Sequence, residues 1–378
     1  MKKGKAKDYA AADKKGGGKK TSKSDNKIVP KSAGHCSMPM MPLRPIDPQA
    51  MPNRERLIRV VDRKWVNNTV LRYCFLDKPA RWRGSDADKE AVRKAFETWK
   101  GLPIGLTFRE VADARQAEFR IGFDQRDGSW SYVGRDAIDH ASDPASRTMN
   151  FGWPLTTAYG RDTALHEIGH ALGFPHEHQN PIAGIVWNTE KVYEYFSGPP
   201  NNWDKATIDW NILRKLQAAE VDGSDWDPDS IMHYQFDAGL ISEPEIYRTK
   251  PLIPASGLSA TDISAAQHFY PAQKTAKLPE LKPYEAHRIR IDPGQQLDFE
   301  IRPELSRDYT IQTFGQMDTV MVLFEEINGE PAYLDGDDDS GWDSNAKIVQ
   351  RLFQGRKYFL RLRLYYAQAS GEGALMMY

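Results

Sequence analysis

The sequence predicts two folded parts, an α+β domain over residues 53–273 and an all-β sandwich over residues 285–378. Three observations point to this division. Between about Thr69 and Tyr270, short alternating runs typical of strands are mixed with runs whose apolar residues recur at three and four. From about Ala286 onward only short alternating runs remain, closely spaced and with almost no helical pattern. A Lys/Pro-rich stretch, residues 274–284, separates the two and has the composition of a linker.

Residues 1–52 come first. Met1 to Lys31 is rich in Lys, Gly and Ser and reads as a disordered basic tail, more simply a solvated arm than a nucleic-acid or membrane anchor. No apolar core follows its charges, so it does not resemble a signal peptide. No apolar run in the chain reaches the length of a membrane span. The whole chain of 378 residues carries 51 Lys+Arg against 52 Asp+Glu, so no global field favours nucleic acid. A cytoplasmic location is the default expectation, with export by a non-classical route as the alternative. From Gly34 the composition shifts to Pro, Met and one thiol, Cys36. Prolines at 39, 42, 45 and 48 favour an extended segment.

The first strand is expected at Thr69–Phe75, after the turn pair Asn67-Asn68, with Cys74 as a small core residue. With only two cysteines, no disulfide framework is needed. Ser85 or Asp86 caps a helix through about Lys100, because Val92, Ala95, Phe96 and Trp99 form one apolar stripe and Gly101 and Pro103 end it. Strands follow around Leu106–Val111 and Ala117–Phe123, the latter alternating Phe119, Ile121 and Phe123 with polar neighbours. Asp127–Gly134 is a turn entering a further strand, and Thr148–Phe151 is a short strand. A last helix, Ala260–Phe269, is capped by Ser259 or Thr261.

The chemistry lies in Leu165-His166-Glu167-Ile168-Gly169-His170-Ala171-Leu172-Gly173-Phe174-Pro175-His176. His166 and His170 stand four apart, so on a helix both imidazoles leave one face and can grip one ion. Glu167 is placed to hold and deprotonate a water at that ion. Gly173 suits a left-handed residue past the helix end, turning the chain so that His176 returns as a third nitrogen. Three neutral imidazoles with one open position describe a catalytic zinc site. The glycine and third histidine at fixed offsets make coincidence rare. The nearby His178 is read as a second layer behind the ligands or as a surface residue. An extended segment ahead of this domain could lie along its cleft, with Cys36 as a thiolate in the open position. The plain alternative is a lone cysteine in a mobile linker.

The spacing H-E-x-x-H-x-x-G-x-x-H matches the metzincin pattern of zinc endopeptidases at every fixed position. Ser230-Ile231-Met232-His233-Tyr234, about fifty residues on, resembles the metzincin Met-turn. With Phe174-x-His176-Glu177 and Gly128-Ser129-Trp130-Ser131-Tyr132-Val133-Gly134, the chain from about Trp65 to Tyr270 resembles the astacin family. That resemblance implies His166, His170 and His176 as zinc ligands, Glu167 as base and Met232 as an apolar floor beneath the ligands. It also implies Tyr234 as a weak fifth ligand that swings away to stabilise the oxyanion. Matrixins, a sister family, use a pro-segment cysteine to hold the enzyme latent, as the reading of Cys36 requires. Gln179-Asn180-Pro181 departs from the usual astacin continuation, and no pro-segment aspartate block is recognisable.

In the C-terminal part, strands are expected at Arg288–Ile291, Leu297–Ile301, Tyr309–Phe314, Thr319–Phe324, Ile348–Leu352 and Tyr358–Tyr365. Their order, the run Asp335-Gly336-Asp337-Asp338-Asp339-Ser340-Gly341 and Gly355-x-x-Tyr358 make it similar to the pre-peptidase C-terminal domain of bacterial proteases. Asp335, Asp337 and Asp339 could offer oxygen ligands to Ca²⁺, though Ala346 stands where an EF-hand places its glutamate. A solvated acidic turn is the alternative. The expectation is therefore a monomeric, one-zinc metalloendopeptidase acting on protein or peptide substrates. The rival reading is a binding or adhesion module working through the sandwich, with proteolysis incidental.

Overall fold

The computed structural model describes residues 34–41, 64–141, 143–216, 225–272, 277–365 and 369–378. The expected basic tail lies outside the described residues, as do Pro42, Pro45 and Pro48 and residues 274–276 of the linker. In the N-terminal domain, β1 (Thr69–Phe75), β2 (Leu106–Glu110), β3 (Phe119–Gly122), β4 (Trp130–Ser131) and β5 (Met149–Asn150) form one sheet in the order β2-β1-β3-β5-β4. Four strands run parallel, and only β4, at the edge, is antiparallel to its neighbour. The mixed sheet is as expected.

Helix α1 (Asp86–Lys100) begins where Ser85 Oγ accepts the Asp88 amide, 3.1 Å away. Its predicted stripe, Val92, Ala95, Phe96 and Trp99, is buried, with Phe96 stacked on Tyr73 of β1 at 4.1 Å between ring centres. Helix α2 (Ala158–Ala171) is capped by Thr157 and carries the histidine motif. It is buried on nearly every side from Thr163 to Ala171, which explains why it shows little amphipathic pattern. The rest of the domain adds α3 (Thr189–Ser197), a two-stranded ribbon of β6 (Val186–Trp187) and β7 (Ile241–Glu243), and α4 (Ala260–Phe269). The first three of these were not legible in the sequence. Helix α4 has the expected bounds, with Ser259 and Asp262 forming a capping box.

The C-terminal domain is a sandwich of two antiparallel four-stranded sheets. One has the order β13 (Lys347–Leu352), β10 (Arg307–Gly315), β15 (Gly371–Met377), β8 (Ala286–Ile291). The other has β12 (Glu330–Asp337), β11 (Thr319–Ile327), β14 (Tyr358–Leu364), β9 (Gln296–Ile301). All six expected strands are present. Two were missed: β15, which is rich in glycine, and β12, which holds part of the acidic run.

Asp335 and Asp337 therefore sit on a strand, paired with Leu323 and Met321, instead of in a loop. The Asp337 carboxylate accepts from Ser340 Oγ, Ser340 N and Lys347 N, so it serves as a turn acceptor. Among the described residues these aspartates, Asp339 included, do not assemble into a group of three that could hold a cation. The calcium expectation lacks that support. The sandwich meets the first domain through Asn68 Nδ2, which donates to Asp298 (3.3 Å), and Gln296 Nε2, which donates to the Asn67 carbonyl (3.4 Å). Between the two domains lies a cavity of about 380 Å³, lined by Val66, Val70 and Glu118 on one side and Met321 and Phe324 on the other.

Candidate metal and catalytic centre

The end of α2 is fixed by main-chain bonds. Gly173, at φ 101°, is the left-handed residue that the motif requires. Its amide donates to the His170 carbonyl (2.8 Å) and that of Phe174 to the Gly169 carbonyl (3.0 Å), a Schellman closure. The next two carbonyls are taken by side chains from the two ends of the domain. Trp65 Nε1 donates to Ala171 O (2.8 Å), and the Tyr270 hydroxyl to Leu172 O (2.6 Å). The terminal carbonyls of the helix thus all have donors.

This turn returns His176 beside the helix. Its Nε2 lies 3.0 Å from Nε2 of His170, and its ring centre 5.4 Å from that of His166. Nδ1 of His166 donates to the Ile231 carbonyl and Nδ1 of His170 to the Phe174 carbonyl, each at 2.7 Å. Those bonds fix the tautomer and leave both Nε2 atoms as lone pairs facing His176. Nε2 of His166 is buried without a hydrogen-bond partner. Burial holds the imidazoles neutral, lowering His166 to about 4 and the other two well below their ordinary value.

Cys36 completes the cluster. One donor atom each from Cys36, His166, His170 and His176 lie within 4.8 Å of one another, and all four residues are buried. The Cys36 thiol donates to Glu167 Oε2 at 3.4 Å. Burial, then the nearby Glu167 charge, pushes that thiol well up. Burial raises Glu167 to about 8, and its other oxygen has no partner. Three imidazoles, a thiol and a carboxylate in a buried pocket fit a bound cation, and the N₃S donor set suits zinc.

Met232 occupies a turn directly beneath α2, against Gly169, and its carbonyl accepts the Glu177 amide (3.0 Å). Asp262 secures that turn by accepting from Ser230 Oγ (2.6 Å) and Ile231 N (2.8 Å). The Tyr234 hydroxyl donates to the main-chain carbonyl of Cys36. His178 is not at the surface. It is buried behind His176, ring centres 5.1 Å apart, and its Nε2 is bonded to the Asn211 carbonyl (2.8 Å). The Glu177 carboxylate is occupied by Asp227 N and Asn180 Nδ2.

The described segment carrying Cys36, residues 34–41, forms no helix or strand and is stitched to the cleft by hydrogen bonds. Gly34 O accepts from the Tyr159 hydroxyl (2.6 Å), Ser37 N donates to Ser129 O beside β4 (3.0 Å), and Met38 N donates to Asn211 Oδ1 (2.8 Å). A lone cysteine in a linker does not describe it. Cys74 is a buried free thiol in β1. Tyr159, Asn211 and His35 were missed. Only the immediate neighbourhood of Cys36 offered a signal for the last.

The sequence model of the astacin family (peptidase family M12A) matches residues 58–270, more than half of the chain. The chain belongs to the astacin family. Its astacin domain is 33% identical to the hatching enzyme of Paracentrotus lividus over 163 residues, 40% of this chain and 26% of that protein. It is 27% identical to protein SpAN of Strongylocentrotus purpuratus over 198 residues, 49% of this chain and 29% of the relative. The chain thus spans between a quarter and a third of the length of these curated relatives. A solved structure of myroilysin superposes with a TM-score of 0.50 at 32% identity, covering 57% of this chain and 98% of that one. The astacin domain accordingly has the metzincin fold, followed by an all-β region.

Proposed function

We propose that this chain is a zinc-dependent endopeptidase that hydrolyses peptide bonds in proteins and is held latent by its own Cys36. The observation that carries the reading is the convergence of His166, His170 and His176 on one point, with the Glu167 carboxylate beside it, in a domain of a peptidase family. The three imidazoles would hold the metal. Bound zinc supplies Lewis acidity to water and to the scissile carbonyl. Glu167, whose carboxylate lies beside the Cys36 thiol at those donors, would accept a proton from the attacking water and return it to the leaving amine. Tyr234 already donates its hydroxyl to a peptide carbonyl, that of Cys36, and would donate likewise to the oxyanion of a substrate. Met232 would serve as the Met-turn floor.

The same geometry supports the latency reading. A thiol among the nitrogen donors and in contact with Glu167 stands where water and substrate must enter. The test compares casein cleavage by the full chain, by a version beginning at Arg54, and by Glu167→Gln in each, with zinc content measured alongside. The expected result is cleavage by the shorter form, a lag in the longer one, and zinc-loaded but inactive variants. Unchanged cleavage by Glu167→Gln refutes the base assignment. Zinc binding without cleavage in all four favours a binding module over an enzyme.

A further inference from the structure

His35, the residue before Cys36, does not lie loose over the cleft. Its ring is set among five aromatic rings, with centres 4.9 Å from Phe196, 5.4 Å from Tyr234, 6.1 Å from Tyr195 and 6.5 Å from both Trp203 and Phe236. Both ring nitrogens have partners. Nε2 is 3.0 Å from the Gln235 carbonyl, and Nδ1 is 3.4 Å from Asn201 Nδ2. The assignment is unique for a neutral ring, since a carbonyl only accepts and an amide nitrogen only donates. Asn201 Oδ1 also accepts the His35 main-chain amide at 2.9 Å.

We infer that this cage is a side-chain pocket of the substrate cleft, and that it selects a flat ring bearing an N–H or O–H, as in histidine, tyrosine or tryptophan. The inference rests on the endopeptidase reading. One wall of the cage is Tyr234, whose hydroxyl grips the next residue's carbonyl, and the residue after His35 presents its side chain to the metal donors. A side chain in this cage therefore flanks the bond to be cut. When the Cys36 segment leaves, an aromatic-walled slot with an unpaired Gln235 carbonyl remains. Ring stacking rewards any aromatic, but only a ring with a donor hydrogen satisfies the carbonyl. A carboxylate or ammonium there would lose its water without an opposite charge, and alanine would leave the slot unfilled.

The test uses the full chain carrying His35→Ala and Cys36→Ala, loaded with zinc, on a defined peptide mixture, with cut sites read by mass spectrometry. Histidine, tyrosine and tryptophan should be enriched at one position next to the cut, by about tenfold over alanine, aspartate and glutamate. Trp203→Ala or Asn201→Ala in that background should flatten the preference, and agreement of the two guards against a folding defect in either. Calorimetry on the same protein with Glu167→Gln added, using the synthetic peptide Gly-His-Cys-Ser-Met-Pro-Met-Met and a version with aspartate replacing its histidine, reads the pocket without turnover. Binding of the first at least about tenfold tighter is expected. Cleavage without a ring preference overturns the pocket while leaving the enzyme. Zinc loading and selective peptide binding without any cleavage overturns the endopeptidase reading, and the cage's role as a substrate site with it.

Discussion

A β-carbon added to Gly169 would lie 2.3 Å from the sulfur of Met232. The glycine beside the second motif histidine thus lets the methionine turn rise against the helix backbone. Alanine in mid-helix is ordinarily better than glycine by about 1 kcal/mol. Here the sign should reverse. Gly169→Ala is expected to cost about 1–3 kcal/mol, as overpacking does in a filled core, and to lower zinc retention. Thermal melting with metal analysis checks this, and a raised melting temperature would refute it.

Trp65→Phe and Tyr270→Phe each remove a donor from a buried carbonyl at the end of α2. Each should cost about 1–3 kcal/mol in urea unfolding. The carbonyls are adjacent, and Trp65 N itself donates to the Tyr270 hydroxyl at 3.3 Å. The double variant should therefore depart from additivity.

Cys36→Ala in the full chain should keep zinc on the three histidines and raise initial casein cleavage by about tenfold, equivalent to about 1.4 kcal/mol of lost occlusion. Equal initial rates in the wild-type and variant chains would dismiss the thiol as the latch.

In the sandwich, the side chains of Asp298 and Arg361 are each only 7% exposed, with Arg361 Nε 3.7 Å from the carboxylate. Burial raises Asp298 and lowers Arg361 to about 10, so desolvation outweighs pairing on both sides. Asp298→Leu alone leaves a buried cation and should cost about 3–5 kcal/mol. Adding Arg361→Leu should recover most of that loss in denaturant titration, despite the bonds from Asn68 and Gln296 that Asp298 also forfeits.

The metal-site histidines were legible because their geometry is local. A four-residue offset on a helix and a glycine turn bring three imidazoles together within eleven residues, and distant groups only orient and cap what that spacing assembles. The stripe of α1 and the capping box of α4 were legible for the same reason. Strands β12 and β15 were not, because an acidic run and a glycine-rich run hide the two-residue alternation that burial would otherwise impose. The cage around His35 was also invisible. It joins residues some 160 to 200 positions apart, and no periodicity records which aromatic rings a fold will gather. Cys36 lay between these cases, since composition marked the segment but only tertiary structure brings it to the histidines.

If the latency proposed for Cys36 is relieved by proteolysis, the clasp of Trp65 on the α2 terminus limits where the cut can fall. The entry and exit of the astacin domain fasten to neighbouring carbonyls of the same helix. A cut between Met41 and Lys64 would remove the thiol segment and leave both fastenings in place. A cut only two residues further along takes Trp65 with it and strips Ala171 of its partner. An activating protease would thus be constrained at its downstream boundary by the anchorage of the histidine-bearing helix, and forms trimmed past Trp65 should be more heat-labile than forms that keep it.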